Sequence, residues 1–542
     1  MQFLADRYLN GRRISIAKSG FPIKLGVRPI RIRPMDGGLF TDPTSELLKL
    51  NQSPAMRDVF FFKNELRKSY GGTQLGADFG EAVMWTGTWR NFDGVIIPVA
   101  ITTRRLFYYS DLSAAWVEVS PANILTGTEN HSVKVAIFNG VLYFVTLDYE
   151  LRSWKGYQDS HAAVVGGFAA KALETINNRI ILGHIIEGGS ARAQTIRWTQ
   201  NGIVKFTGPG SGSRDIADRP DHILTIKKLG PFRGVIYKEE SMVDMRSTGD
   251  ASFPFDTTEL AQIGLLLPNS VAEWAGGHFF VSNDENIYLF NGANLPESIG
   301  DDIRHEFFSS LNYSSLDRAV GYFDRRDREY IIIIPTGSAT NTVASLYYAY
   351  SPQKKRWRSG IYSGVTSIGD YKTVVGISWD EDTGTWDAAT DTWNDETSTG
   401  SRMRLLMSAS TKRVFILDDT TQAFDTNALQ FSWQTGDIIA EEDGGEVTLL
   451  EAIIGYVVDG TASLIVDAST DLGGTFSGGA TVTLGGSSLT TGDYDYIHVP
   501  FLITGDNIRV RLRNSTSGEK VRIVSLTLRV SQTSAVREAA TK

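Results

Sequence analysis

The sequence contains no cysteine in 542 residues, which excludes a disulfide framework and any thiolate metal site. It also lacks the run of about 18 uncharged apolar residues that a membrane-spanning helix requires. Its first twenty residues carry an acid and polar residues where a signal peptide has its apolar region. We therefore expect a protein that stays in the cytoplasm in which it is made.

Several common signatures of chemistry are missing as well. The seven histidines are scattered, and none has the His-x-x-x-His or His-x-His spacing of a zinc site. No Gly-x-x-x-x-Gly-Lys-Ser/Thr loop for phosphate is present. The acid-rich segment 379–395 lacks the residue order of a calcium loop and is better explained by solvated turns. The sequence thus predicts no enzymatic activity, no catalytic residue, no metal and no cofactor.

Short β-rich units recur along the chain. The stretches VLYFVTLDYELRSWKG (141–156) and SLYYAYSPQKKRWRSG (345–360) both place an aromatic strand before a polar turn and a tryptophan. Trp116, Trp154 and Trp198 follow one another at intervals of 38 and 44 residues, close to the roughly 40–50 residues of a β-propeller blade. The spacing predicts an all-β propeller of about seven blades, with six to eight possible, and these tryptophans are expected to pack between blades.

The strand pattern changes after about residue 425. Alternating segments such as LQFSWQTGDI (429–438) and RIVSLTLRV (522–530) have the spacing of a β-sandwich. The expected organisation is a basic arm over 1–34, a propeller with a lead-in segment over 35–425, and a sandwich with a loose tail over 426–542. The segment 301–311 is expected to form a short connecting helix, because apolar residues recur there at every fourth position.

The formal net charge of −9 is unevenly distributed. Residues 1–34 hold eight basic residues against one acid, Asp6, so this arm carries +7 and the rest of the chain −16. The arm can bind nucleic acid or an acidic neighbouring subunit. Its apolar residues favour the protein contact, since few aromatic–basic alternations suit stacking on bases. The residues proposed for an intersubunit or adaptor contact are Arg7, Arg12, Arg13, Lys18, Lys24 and Arg28.

One local motif is complete. STDLGGTF (469–476) matches the Asp-box pattern through Ser469, Asp471, Gly473, Thr475 and Phe476. In this motif the carboxylate ties down its own hairpin and has no part in catalysis. The box is common in sialidases, but VRPIRIRP (27–34) scrambles their Arg-Ile-Pro motif, and the box lies outside the repeats.

The segment IRPMDGGLFTDPTSELLKLNQSPAMRDVFFFKNELRKSYGGTQLG (32–76) resembles the start of the tail nozzle proteins of short-tailed bacteriophages, also called tail tubular or stabilisation proteins. The matching features are a Gly-Gly turn, a Leu-containing stretch, an Asn and a basic phrase, namely Gly37-Gly38, Leu47-Leu48, Asn64, Leu66-Arg67-Lys68 and Gly71-Gly72. FSWQTGD (431–437), the Asp-box hairpin and IRVRLRN (508–514) also resemble the terminal sandwich of that family.

The resemblance implies a structural virion protein, assembled in the host cytoplasm. It would form a homo-oligomer, a hexamer, below the portal and adaptor proteins, contact tail fibre or spike proteins, and conduct phage DNA through its bore without specific binding. The alternative is a receptor-binding or carbohydrate-degrading, sialidase-like propeller. A scaffold propeller that stays monomeric is a third possibility.

Overall fold

The fold consists of two compact units. Unit 1 comprises Met1–Gly71, Arg356–Ile361 and Asp419–Lys542, and unit 2 comprises Gly72–Lys355 and Tyr362–Asp418. The structure is a computed structural model. It describes residues 8–9, 12–13, 26–41, 48–92, 94–110, 113–119, 125–156, 163–293, 295–340, 342–372, 403–418, 420–440, 445–486 and 489–533.

Unit 2 is a β-propeller, and its described residues form seven blades. Five blades are separate four-stranded antiparallel sheets. Blade 1 contains the strands Val83–Arg90, Ile96–Thr102, Leu106–Ser110 and Ala115–Val119. Blade 2 contains Lys134–Phe138, Val141–Val145, Arg152–Trp154 and Ala163–Val164. Blade 3 contains Phe168–Ile176, Arg179–Glu187, Ser190–Trp198 and Gly212–Asp215. Blade 4 contains Ile223–Gly230, Arg233–Lys238, Met242–Ser247 and Phe255–Ala261. Blade 5 contains Ala272–Trp274, Gly277–Ser282, Asn286–Phe290 and Glu297–Ser298.

Blades 6 and 7 share one seven-stranded sheet, in which a single long strand belongs to both. The order is Val320–Asp324, Glu329–Ile334, Ala344–Ser351, Arg356–Lys372, Met403–Ala409, Arg413–Asp418 and Gly71–Gln74. The last of these strands precedes blade 1 in the chain. Blade 7 is therefore completed by the start of the propeller, which closes the circle of blades and leaves no open seam.

The hairpin turns and the tryptophans explain why these strands form blades. Asn139 and Gly140 both have positive φ, and Gly140 lies too close to the backbone of Phe92 for a side chain to fit. Trp154 is fully buried between blades 1 and 2, with its ring 4.6 Å from that of Trp89. Trp198 joins the core between blades 3 and 4. The prediction of an all-β propeller with tryptophans between its blades is confirmed.

The predicted connector over 301–311 is also present. A short 3₁₀ turn, Asp301–Ile303, leads into an α-helix, Arg304–Ser310, and a second 3₁₀ segment, Tyr313–Arg318, follows. Ile303, Phe307 and Leu311 are buried, as their spacing predicts. Among the described residues no helix is long enough and apolar enough to cross a membrane.

Unit 1 is a β-sandwich of two antiparallel six-stranded sheets. One sheet contains Val27–Ile32, Val59–Phe62, Glu65–Lys68, Glu446–Val457, Tyr494–Gly505 and Arg522–Thr533. The other contains Met56–Arg57, Phe431–Gln434, Ile438–Ile439, Ala462–Ser469, Ser477–Leu484 and Asn507–Asn514. Two small hairpins, Tyr8–Leu9 with Arg12–Arg13 and Ala423–Phe424 with Asn427–Ala428, complete the described strands.

The division of the chain differs from the expected one. Residues 26–68 supply four strands to the sandwich, although the predicted division placed all four in the basic arm or in the propeller with its lead-in segment. Arg28, for example, pairs with Val530 in the register of the two strands. The physical reason is that an alternating strand has the same pattern in either unit, and only its remote partner decides which sheet it joins.

Candidate functional site: the central cavity of the propeller

The first strand of each blade faces the centre of the propeller, where the strands enclose a cavity of about 270 Å³. Every blade contributes to its wall. The lining includes Trp85, Lys134, Leu173, Lys227, Val271, Tyr322 and Ser367. Polar and apolar surface share the wall about equally, and residues that precede the inner strands supply polar groups, among them Glu129, Ser132, Asn269, Asp317 and Arg318.

Asn269 organises these polar groups. Its Oδ1 accepts hydrogen bonds from Ser132 Oγ, at 3.1 Å, and from Lys134 Nζ. Its Nδ2 donates to the carbonyl oxygen of Asp317 at 2.8 Å. Three contacts therefore fix the amide, and through it the ammonium group of Lys134, in the cavity.

Two ion pairs involve the acids of the cavity. Asp317 Oδ1 lies 3.5 Å from Lys171 Nζ, and Glu129 Oε2 lies 3.8 Å from Arg318 Nη1. Among the described residues no carboxylate oxygen lies within 4.0 Å of the ammonium nitrogen of Lys134 or Lys227. The cavity thus holds two lysines that no described acid contacts directly.

Burial and charge act together on Lys134. Burial disfavours its charged form most strongly, and the nearby Lys227 and Lys171 add to the effect against the opposing charge of Asp317. These causes lower the pKa of Lys134 to about 7. On the neighbouring strand, burial raises the pKa of Glu174, helped by Glu273 and opposed by Lys227.

No motif in the sequence marks this site, because its residues come from different blades. A weak signal existed, because three inner strands each carry lysine among mostly apolar residues. These strands are KVAIF (134–138), FAAKALETI (168–176) and ILTIKKLG (223–230). A charged residue at such a position is costly unless the site is partly hydrated or compensated.

The Asp-box residues lie on the hairpin between Ala462–Ser469 and Ser477–Leu484 in the sandwich. Asp471 Oδ1 accepts a hydrogen bond from the backbone N–H of Thr475 at 2.7 Å, and Gly473 N donates to Ser469 Oγ at 3.0 Å. Hydrogen bonds from Ser469 and Thr475 lower the pKa of Asp471 to about 2. The Phe476 ring stacks under the Arg511 guanidinium at 3.8 Å. The carboxylate thus holds its own turn.

The proposed contact residues of the basic arm are only partly visible. Arg7, Lys18 and Lys24 lie outside the described residues. Arg12 and Arg13 form the second strand of the hairpin that begins at Tyr8. Arg28 is exposed on its sandwich strand. The intersubunit contact of these residues remains a prediction.

In the part of the chain that the structure describes, no group of three or more His, Asp or Glu side chains is arranged to hold a metal ion.

Comparison of this chain with known protein families and curated proteins identifies no relative. No protein-family profile and no curated protein matches this chain.

Some solved structures have a similar backbone course, with a sequence identity to this chain of 8% to 10%. The extracellular domain of the hybrid two-component system BT4673 from B. thetaiotaomicron has 10% identity and a TM-score of 0.37, covering 64% of this chain and 39% of its own. YCF48 from Cyanidioschyzon merolae has 8% identity and a TM-score of 0.35, covering 64% and 98%. An exo-β-1,3-galactanase from Phanerochaete chrysosporium has 8% identity and a TM-score of 0.24, covering 85% and 99%.

These comparisons correct one expectation. The sequence predicted that the chain has no enzymatic activity, and the presence of exo-β-1,3-galactanases among the similar structures contradicts that prediction. With TM-scores of 0.22 to 0.24, the likeness assigns no reaction to this chain. The fold itself follows from the strand order: an all-β propeller joined to a β-sandwich.

Proposed function

We propose that the protein is a structural component of a short phage tail, the nozzle, which forms an oligomeric ring below the portal and adaptor and conducts DNA. One observation carries the proposal. The segments that resemble nozzle proteins come from both ends of the chain and are partners in one sandwich. Trp433 of FSWQTGD pairs with Met56 on one side and with Leu512 of IRVRLRN on the other.

Side chains join the same segments. Lys68 Nζ, in the basic phrase near the start, donates a hydrogen bond to Asn514 Oδ1 at 2.8 Å. Ser469 of the Asp-box pairs with Arg509. The features of the resemblance therefore belong to one folded body, as expected if they are inherited together. The excess of acids outside the arm suits a conduit, because an acidic wall does not bind phosphates and lets DNA slide.

The first prediction concerns assembly. We expect light scattering and negative-stain imaging to show rings of several copies, either for the purified chain alone or on a portal–adaptor complex. Deletion of residues 1–25 should reduce ring formation or recruitment, since it removes most of the basic arm and leaves the strand Val27–Ile32 intact. Deletion of 534–542 is the matched control and should change neither. A monomer that no portal–adaptor complex recruits would refute the nozzle.

A second candidate function, a carbohydrate-active propeller, is favoured by the central cavity. Ligand sites often lie where strands converge on a cavity with a few polar groups. Here Asp317 supplies a carboxylate at the cavity. Glu174, whose pKa burial raises, follows the lining residue Leu173 on the inner strand of blade 3. Glycosidases act through a pair of carboxyl groups, one of which has a raised pKa.

Its test is the release of reducing sugar from a panel of oligosaccharides that includes β-1,3-galactotriose. If the cavity hydrolyses glycans, Asp317→Asn should lower the rate at least about a hundredfold, as removal of a group in acid–base catalysis commonly does. Asp506→Asn, on the surface of unit 1, should keep full activity. No release from any sugar, by a chain that does form rings, would leave the nozzle as the function.

A further inference from the structure

We infer that the central cavity of the propeller binds a small oxyanion, a phosphate or a carboxylate group, between Lys134 and Lys227. The inference goes beyond tail assembly and does not depend on it, since the cavity lies wholly within unit 2. It rests on the charges of the cavity, the contacts that orient Lys134 and the size of the space.

The first observation is the balance of charged side chains at the cavity wall. The lining residues Asp317 and Glu129 each contact a cation, namely Lys171 and Arg318, respectively. The remaining cations that line the wall are Lys134 and Lys227, and no described carboxylate reaches the ammonium group of either within 4.0 Å. Glu174 is near enough to Lys227 for their charges to interact, but forms no ion pair with it. An anion between the two lysines would supply the missing counter-charge.

The hydrogen bonds of Lys134 leave room for a ligand. Its ammonium group carries three N–H donors, and within the described residues one protein acceptor, Asn269 Oδ1, is within hydrogen-bond distance of it. Asn269 is itself held by Ser132 and Asp317, so the lysine has a fixed anchor. The other two donors are available to an oxyanion, and such charge-assisted bonds are the strong class.

The size of the cavity limits the ligand. A volume of about 270 Å³ corresponds to roughly nine water molecules at about 30 Å³ each. This space accepts an inorganic phosphate or one acidic sugar residue. Thr225 on the same wall offers a hydroxyl group to a sugar.

The binding should depend on pH. Lys134 faces Lys171 on blade 3, Lys227 on blade 4 and Asp317 ahead of blade 6, while Glu129 and Arg318 pair with each other nearby. Because burial and the two lysines lower its pKa to about 7, Lys134 loses its proton as the pH rises through neutrality. The affinity for an anion should therefore be higher at about pH 6 than at about pH 9.

The test is a calorimetric titration of the full chain with inorganic phosphate and, separately, with glucuronate, in buffers balanced with chloride. We expect at least one of them to bind, and Lys134→Met/Lys227→Met to weaken that binding at least about tenfold, which corresponds to about 1.4 kcal/mol. The milder variant Lys227→Gln should weaken binding in the same direction. Lys355→Met, at a side chain that is 77% exposed, is the matched control and should bind like the wild type.

Each outcome has one meaning. Binding of phosphate alone identifies a phosphate site, and binding of glucuronate alone identifies an acidic-sugar site. No heat from either anion beyond that of chloride, or equal binding by the double variant, would overturn the inference. A monomeric chain that no portal–adaptor complex recruits, but that still binds the anion, would refute the nozzle and leave this site standing.

Discussion

Lys238→Met is expected to lower the free energy of unfolding of the propeller by about 3–5 kcal/mol, the usual cost of removing one partner of a buried ion pair. Lys238 is 1% exposed, and its Nζ lies 2.5 Å from Asp221 Oδ1. The same nitrogen donates to the carbonyl oxygens of Ile216 and Arg219, each at 3.0 Å. Methionine keeps the length of the side chain but leaves one carboxylate and two carbonyls without this donor.

Urea unfolding followed by circular dichroism measures this effect. Burial alone would raise the pKa of Asp221, but hydrogen bonds from Lys238, Ser241 and the Glu240 backbone outweigh it and hold the pKa below its ordinary value. A carboxyl with a depressed folded pKa contributes stability above its unfolded pKa, and that stability is lost as the pH falls through the folded value. The difference between variant and wild type should therefore shrink below about pH 4.

Two variants keep this prediction open to refutation. Adding Asp221→Asn to Lys238→Met removes the isolated charge and should recover part of the lost stability. Lys355→Met, on the surface, should unfold like the wild type. If Lys238→Met were as stable as the wild type, the ion pair would contribute nothing to the propeller.

Asp58→Ala is expected to destabilise the sandwich by about 2–5 kcal/mol at neutral pH, since each buried N–H that loses its acceptor costs about 1–3 kcal/mol. Asp58 is 1% exposed. Its Oδ1 accepts from the backbone N–H of Ile361 and its Oδ2 from that of Gln430, both at 2.8 Å. One carboxylate thus joins the three separate chain segments from which unit 1 is built.

The pH dependence has the opposite sign to that of Asp221. Burial raises the pKa of Asp58 to about 6 in spite of its hydrogen bonds. The native state then holds a proton that the unfolded chain has released between about pH 4 and pH 6, so the wild type loses stability as the pH rises through this window. The cost of Asp58→Ala should accordingly be greater at about pH 4 than at about pH 7.

Fluorescence of Trp433, which is fully buried in the sandwich, offers a probe of this unfolding. Asp506→Ala, at an exposed position of the same unit, is the matched control and should change the midpoint little. A variant Asp58→Ala with an unchanged midpoint would mean that the three segments are held together without this carboxylate.

Local patterns explain what could be predicted. The interval between Trp154 and Trp198 reflects one blade, because each of these residues ends the third strand of its blade. The turn at Asn139-Gly140 and the helix around Phe307 also depend on neighbours in the sequence. Such features need no knowledge of remote contacts, and the sequence predicted the blade interval and the helix.

Contacts between residues that are far apart in the sequence explain what could not be predicted. VFFF (59–62) is an obvious strand, but its sheet is decided by Arg522–Thr533 near the other end of the chain. Lys134, Lys227 and Asn269 meet only because three blades converge, so no spacing rule links them. Asp58 looks like an ordinary turn residue until the backbone groups of Ile361 and Gln430 surround it.

The first strands of the chain pair with segments that are translated late, and this has a consequence for synthesis on the ribosome. Arg28 pairs with Val530, and the outer strand Gly71–Gln74 belongs to a sheet with Arg413–Asp418. Neither early segment has its partner until most of the chain has been translated. Pairings between distant segments form slowly, and waiting strands with unpaired edges aggregate readily. The nascent chain should therefore depend on chaperones for longer than one whose domains follow each other in order, and a prematurely terminated product would leave VFFF exposed without a partner sheet.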